Sequence, residues 1–563
     1  MLPTGRLRLI VAALAVWAAV VWLRLADVQL IEHGQWAAEA MEQQEGTIRV
    51  QEPRGEIVTR DGRVLAGSLE RVSLCANPRR IPSGQWPAVA RALAPLAGLP
   101  AAQILDRFRS SSGFLYVAKD LDPEVAAAVA RLRHDGLWTE RTERRVYPNG
   151  TLAAPVVGFV NAEGIGQAGL EALFDSTLQG VPSLYHRIRD GKSVGTAVEL
   201  SLQKAGRPGL TLRLSLDSRV QMIVEDELER TMETIGGHGA SVVVMDPWSG
   251  EVLALASLPS YDPARPGDVV ASARRNRAVE DAIEPGSTFK PIVIASALKN
   301  HAIGPYEMID CSGGGVQIAG FFIHDHARYG LLPVREVIAQ SSNAGAIRIA
   351  MRLEPAQLDA SIRAFGFGKP TGIEQPAETG GLYRGPARWS ALSRAGLAIG
   401  QEISVSAIQL AQAYAVLANG GVLVHPRLVL ETVDGSDGHV VTPAQPRPGE
   451  RVVSPEITHE IAGMLQAVVD EGTGKSARVE GYEAAGKTGT AQKAVNGGYG
   501  AGRHAAWFAG FLPRDHPRLV IVVCVDRPEK TFWAADVAAP TFGRIANRLV
   551  TLMGLPPEEG THT

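Results

Sequence analysis

Glu284-Pro285-Gly286-Ser287-Thr288-Phe289-Lys290-Pro291 is the stretch on which the reading of this chain turns. Ser287 opens a predicted helix that runs on through Ile292, Ile294 and Ala297, with Pro291 in the first turn, where a missing N–H is tolerated. The spacing puts Ser287 and Lys290 on one helical face, a turn apart. A serine hydroxyl is a poor nucleophile until a base takes its proton, and a desolvated lysine near other cations can be that base. A helix N-terminus also favours the negative charge that develops on attack. Alone, the pair is equally a capped helix with an exposed lysine.

Two further stretches lift it above that. Ser341-Ser342-Asn343 offers a hydroxyl able to pass protons and an amide that both donates and accepts. Lys487-Thr488-Gly489-Thr490, inside AAGKTGTAQ, has the β-branched residues of a strand and a glycine where a substrate can come close. Lys487 and Thr488 could hold a carboxylate, and a free N–H on an edge strand could serve an oxyanion. S-x-x-K, S-x-N and K-T-G in this order are far more specific than any one of them.

Outward from these motifs, Asp217 caps a predicted helix with Val220, Val224, Leu228, Met232 and Ile235 on one face, ended by Gly236 and Gly237. Ser241–Met245 and Glu251–Ser257 read as a hairpin about the turn Pro247–Gly250. Late in the chain a helix runs from Ser454 to about Asp470 with Pro455 at its first position. Ala484–Gln492, Trp507–Leu512 and Leu519–Val525 read as strands. Strands at both ends of a helical middle predict an α+β fold, an antiparallel sheet flanked by helices. Before it, Gln51–Ser68 reads as extended chain with a turn at Asp61-Gly62, and Trp86–Leu137 as helix-rich.

With 563 residues the chain is too long for one core. Its 45% hydrophobic and 20% charged residues are those of a globular protein, and a net charge of -3 gives no reason to expect nucleic acid as a partner. Three distant cysteines, Cys75, Cys311 and Cys524, argue against a disulfide framework, and the sequence gives no reason to name a single pair. Arg6 and Arg8 precede an apolar run from Leu9 to Leu23 that resumes after Arg24, and Leu7–Ala26 is long enough for a bilayer core. The positive flank places the N-terminus in the cytoplasm and the rest outside. The competing reading is a cleaved signal peptide at Ala38-Glu39-Ala40, which lies far beyond the apolar run. Val28–Met41 continues as a helical pattern.

The chain resembles the class B penicillin-binding proteins. Pro53-Arg54-Gly55, Arg60-Asp61-Gly62 and Leu65-Ala66 are similar to the start of that family's non-catalytic pedestal. Tyr147-Pro148, Gly158, Gly169-Leu170-Glu171, Leu178 and Gly180 are similar to its second block. Met245-Asp246-Pro247, Gly250-Glu251 and Pro259–Pro263 resemble the start of its transpeptidase domain, and Asn276-Arg277-Ala278 leads into the nucleophile block. The Ser-Ser-Asn motif resembles the division-type (FtsI) branch, whereas elongation-type relatives often carry an acidic residue at the place of Asn343. The resemblance is to members without a glycosyltransferase region before the pedestal or PASTA repeats after the catalytic region, which argues against the bifunctional class A proteins. One departure stands out: many relatives have glycine where Glu402 stands, after Gly400-Gln401.

The resemblance implies a cytoplasmic segment at 1–8, a transmembrane signal anchor at 9–26, a dimerisation or pedestal domain at 27–215, a transpeptidase domain at 216–555 and a polar tail at 556–563. It implies that Ser287 forms an acyl-enzyme with the penultimate D-alanine of a stem pentapeptide, that Lys290 deprotonates it, that Ser341 relays a proton and that Asn343 holds the peptide amide. Lys487, Thr488 and Thr490 would bind the terminal carboxylate, Gly489 would leave room for it, and the N–H groups of Ser287 and Thr490 would form the oxyanion hole. No cofactor is implied. The implied partners are peptidoglycan stem peptides, β-lactams and an FtsW-type glycosyltransferase in the cytoplasmic membrane. The alternatives are an elongation-type enzyme or a β-lactam-binding scaffold that does not crosslink.

Two decoys fall away on spacing. Gly472-Thr473-Gly474-Lys475-Ser476 lacks the first glycine of a phosphate-binding loop, since Val469 stands there, and reads as a helix C-terminal turn. Cys311, His324, Asp325 and His326 match no zinc pattern and read as a loop bordering the cleft, so no metal is expected.

Overall fold

The structure, a computed structural model, describes residues 4–27, 29, 45–111, 113–188, 199–443, 449–495 and 498–558. The Val28–Met41 helical pattern and the Ala38–Ala40 site lie outside the described residues, apart from Gln29. The chain forms two compact units. One gathers Met1–Arg54, Leu69–Arg144 and Gln179–Gly209, the other Gly55–Ser68, Arg145–Leu178 and Leu210–Thr563.

In the first unit an N-terminal helix runs from Thr4 to Ala26 and is exposed from Val11 to Ala26. Among the described residues no single helix is long and apolar enough to cross a membrane, Val11–Ala26 being a shorter apolar helix. The helix-rich stretch resolves into helices Trp86–Ala97, Ala101–Ser110 and Glu124–Arg131. It also holds a strand, Leu115–Leu121, that pairs with Val72–Ala76. The strand escaped sequence reading because its burial does not alternate and its partner is far along the chain. Leu74, Val89, Leu93, Ile104, Phe108 and Val117 make this unit's core.

The second unit is built on an antiparallel sheet of five strands: β1 (Gly239–Met245), β2 (Val252–Leu258), β3 (Ala485–Val495), β4 (Gly498–Leu512) and β5 (Leu519–Asp526). Their order is β2-β1-β5-β4-β3, so β3, which carries Lys487–Thr490, is an edge strand. Every residue of β1 and β5 is buried, because both faces of the sheet are covered. Val243, Val522 and Trp507 face one core, with helices Lys290–Lys299 and Ala407–Ala418. Val242, Val523 and Phe508 face the other, with helices Ser218–Ile235 and Ala538–Leu552. Neighbouring residues thus alternate between two cores, which is why the strands read as continuous apolar runs.

The predicted helix boundaries hold where local chemistry sets them. Asp217 accepts from the N–H groups of Arg219 and Val220, and Gly236 ends the helix at φ +74°. Helix Pro455–Asp470 has Pro455 at its first position, but Ser454 makes no side-chain cap bond. Asp61, at the predicted turn, accepts from Ser218 N at 3.0 Å and Ser218 Oγ at 2.6 Å. Arg145 Nε pairs with Glu171 at 2.6 Å with both side chains buried, and Arg145 also donates to the carbonyl of Gly55 at 2.8 Å. Arg145 thereby ties two of the unit's separate chain segments together.

Candidate active site

Ser287 lies in one 3-10 turn, Gly286–Phe289, that runs into helix Lys290–Lys299. The sequence predicted an α-helix from Ser287 onward, and Pro291 explains the tighter turn. An α-helix would satisfy the carbonyl of Ser287 with the N–H of residue 291, which proline lacks, so the N–H of Lys290 bonds it instead. Four hydrogen bonds fix the turn. Tyr414 donates to the carbonyl of Thr288 at 2.9 Å, Thr288 Oγ1 to the carbonyl of Pro285 at 2.7 Å, Trp507 Nε1 to that of Glu284 at 3.0 Å, and Gly286 N to that of Gly400 at 3.1 Å. Gly400 is obligatory: at φ +74°, a Cβ there would stand 2.0 Å from the oxygen of Gly286. Ser287 itself remains half-exposed.

Lys290 is fully buried one turn on. Its Nζ bonds the carbonyl of Ser341 at 2.6 Å, Ser341 Oγ at 3.2 Å and Asn343 Oδ1 at 2.9 Å. Burial lowers its pKa to about 7, against the opposing pull of Asp325 and then Cys311. A neutral amine donates twice and offers a lone pair, to which the Ser341 hydroxyl can turn. Ser341 ends helix Val334–Ala339 at φ +58°, and Ser342 caps helix Asn343–Ala350 by accepting from Gly345 N at 3.0 Å. The left-handed residue reverses the chain between the two helices and aims the Ser341 carbonyl at Lys290.

On the edge strand, Lys487 is also fully buried, and its Nζ donates to the carbonyl of Thr488 at 3.2 Å and to Thr488 Oγ1 at 3.3 Å. Burial holds it well below the ordinary lysine range, and the charge of Lys290 lowers it further. Thr488 and Thr473 share a hydrogen bond of 2.7 Å between hydroxyls. The turn after helix Pro455–Asp470, discarded as a phosphate loop, thus lines the site. Thr490 Oγ1 accepts from Ala534 N at 3.1 Å. A Cβ at Gly489 would meet Pro285 O at 2.6 Å, so glycine lets the strand lie against the serine turn. The eight predicted site residues therefore fall on three adjoining elements.

The sequence read His324–His326 as a loop bordering the cleft, but His324 ends strand Phe321–His324, paired with Gly315–Ile318, and only Asp325 and His326 lie beyond it. Asp325 accepts from Ser342 Oγ at 2.9 Å, from Ala344 N at 3.2 Å and from Asn343 N, while Asn343 Nδ2 donates to the carbonyl of His324 at 2.9 Å. His326 packs edge-on against Trp533, ring centroids 5.7 Å apart, and its pKa is lowered by desolvation and the two lysines. Among the described residues no group of three His, Cys, Asp or Glu could hold a metal. Glu402 adopts φ +59°, the conformation glycine favours, with its carboxylate accepting from Ser393 Oγ at 2.6 Å and its N–H donating to Glu284 Oε1 at 3.1 Å. Sequence reasoning missed Tyr414, Trp507, Thr473 and the bracing by Asp325, since their partners are distant in sequence.

Such a site can activate a serine toward an acyl centre in a ligand whose carboxylate meets the second lysine and its threonines. The chain matches the family models for the penicillin binding protein transpeptidase domain over residues 240–547 and the penicillin-binding protein dimerisation domain over residues 49–214. It is 31% identical over 561 residues to the probable peptidoglycan D,D-transpeptidase PenA of Neisseria meningitidis, covering 99% of this chain and 94% of the relative. It is 31% identical over 551 residues to the peptidoglycan D,D-transpeptidase FtsI of Escherichia coli, covering 96% and 89%. Penicillin binding protein 3 of Mycobacterium tuberculosis, solved in complex with aztreonam, superposes with a TM-score of 0.72 at 28% identity over 91% of this chain and 98% of that one. The α+β fold, the two matched domains and the relatives together make this chain a member of the class B penicillin-binding proteins, a peptidoglycan D,D-transpeptidase.

Proposed function

We propose that the chain crosslinks stem peptides in septal wall synthesis through an acyl-enzyme on Ser287. The observation that carries this reading is Lys290: fully buried one turn from a half-exposed serine, with a pKa of about 7. In this reading Lys290 takes the Ser287 proton as Oγ bonds to the carbonyl carbon of the penultimate D-alanine. The C–N bond then breaks, and the terminal D-alanine leaves with a proton passed back through Lys290 and Ser341. Asn343 holds the peptide amide, and Lys487, Thr488 and Thr490 hold the terminal carboxylate beside Gly489. The N–H groups of Ser287 and Thr490 receive the oxyanion. The amine of a second stem peptide attacks the ester and frees the serine. A β-lactam acylates the same oxygen, with its ring amide in the place of the scissile bond.

The division role rests on Asn343 in the middle motif and on the FtsI relative. With it goes an FtsW-type glycosyltransferase as membrane partner. We assign residues 9–26 as the anchor of a single-pass protein of the cytoplasmic membrane, on the apolar helix Thr4–Ala26 and its basic flank, with 27–215 as pedestal and 216–555 as catalytic domain outside. The test is fluorescent penicillin labelling of the full chain and its Ser287→Ala variant. The variant should fold and localise normally and take no label. A variant that still labels would remove Ser287 from the mechanism.

A further inference from the structure

The loop that looked like a metal site holds the Ser-Ser-Asn motif in place. Both oxygens of Asp325 are committed to that motif: Oδ2 accepts from Ser342 Oγ at 2.9 Å, and Oδ1 from the N–H groups of Asn343 and Ala344. The neighbouring carbonyl of His324 accepts from Asn343 Nδ2 at 2.9 Å, which settles the amide orientation and leaves Oδ1 for Lys290. The gripped segment includes Ser341 at φ +58°, a conformation that persists only when its surroundings impose it.

We propose that Asp325 is a positioning residue for acylation: its carboxylate fixes the Ser341–Asn343 turn against Lys290 and supplies that lysine's countercharge. The titratable groups facing Lys290 are Asp325, Cys311, Lys487 and His326, and those facing Asp325 include also Tyr329. Asp325 is the one carboxylate among them. The thiol of Cys311 is pushed up by burial, and the other two groups, Lys487 and His326, are bases. The opposing effects separate cleanly. Burial favours the free amine of Lys290 and Asp325 favours the ammonium, so removing the carboxylate makes the lysine a base at lower pH.

This inference rests on Lys290 as the base of a Ser287-centred reaction. Its test is the pH profile of fluorescent-penicillin acylation of the full chain. Asp325→Asn should move the rising limb to lower pH by about one unit and lower the plateau rate by up to about 100-fold, the cost of a misplaced catalytic group. Asp325→Glu keeps the charge but changes the reach of the carboxylate, so its limb should stay while its rate falls. It carries the test should the asparagine variant not fold. A limb unmoved in Asp325→Asn, or a wild-type rate in Asp325→Glu, would overturn the proposal. Label that persists in Ser287→Ala would instead sink the underlying reading.

Discussion

Gly489→Ala probes the closest approach in the site. A Cβ at this position in β3 would stand 2.6 Å from Pro285 O, 2.8 Å from Thr288 Cγ2 and 3.1 Å from Thr288 N. Relaxed carbon–carbon contacts lie near 3.5–4.0 Å and carbon–oxygen contacts near 3.3–3.6 Å. The strand and the serine turn must therefore part by roughly 0.7–1 Å. The turn cannot shift freely, because Tyr414 and Trp507 anchor its carbonyls and Thr288 Oγ1 bonds within it. If Ser287 is the nucleophile proposed above, its displacement by about 1 Å costs on the order of 100-fold in rate. Overpacking of this kind costs about 1–3 kcal/mol in stability. Gly463 is the control: it lies within helix Pro455–Asp470, and a Cβ there meets nothing within 4 Å. Gly463→Ala should leave acylation unchanged and stabilise by up to about 1 kcal/mol. The assay is the second-order rate of fluorescent-penicillin acylation, with thermal unfolding in parallel. Gly489→Ala acylating at the unmodified rate would refute the claim that strand and turn are held at contact distance.

Acylation should rise with pH through about 7, as Lys290 loses its proton, and Lys290→Arg should be nearly as inactive as Lys290→Ala because guanidinium accepts no proton; an active arginine variant would assign Lys290 a charge role only. Glu171→Ala strands the buried Arg145 and should cost about 3–5 kcal/mol in unfolding free energy, read by denaturant titration. Glu402→Gly exchanges a strained φ of +59° and the Ser393 bond for glycine's freedom, two effects of about 1 kcal/mol each and opposite sign, so the melting point should barely move.

The parts of this protein legible in the sequence are those whose chemistry is local. A cap at Asp217, a glycine at 236 and a run of alternating cores announce their elements within a few residues. The candidate site residues were legible for another reason: three short motifs each need only their own neighbours to be recognised. The residues that hold the motifs together were not. Asp325 beside two histidines looks like a ligand set until Ser342 and Asn343 are seen to consume its oxygens. Thr473 looked like part of a phosphate loop because nothing near it in sequence reveals Thr488 as its partner. The 3-10 turn at Ser287 was in principle readable, since the missing N–H of Pro291 already denies that serine its α-helical bond.

The second compact unit gathers Gly55–Ser68 and Arg145–Leu178 together with everything after Leu210. Ile57 pairs with Leu212 and Ala66, Asp61 bonds Ser218, and Glu225 accepts from Ala153 N at 2.8 Å. A gene fragment opened at Leu216 would therefore encode the motifs without the pieces that finish their scaffold, and would lack Ile57 and Val156 from the core that also holds Leu216, Val243 and Met245. The order of synthesis follows too. The early segments leave the ribosome long before β3, β4 and β5, so the sheet begun by β1 and β2 gains its other three strands late. The unit can close only when the chain is nearly complete, so the strand that carries Lys487–Thr490 meets the Ser287 turn late.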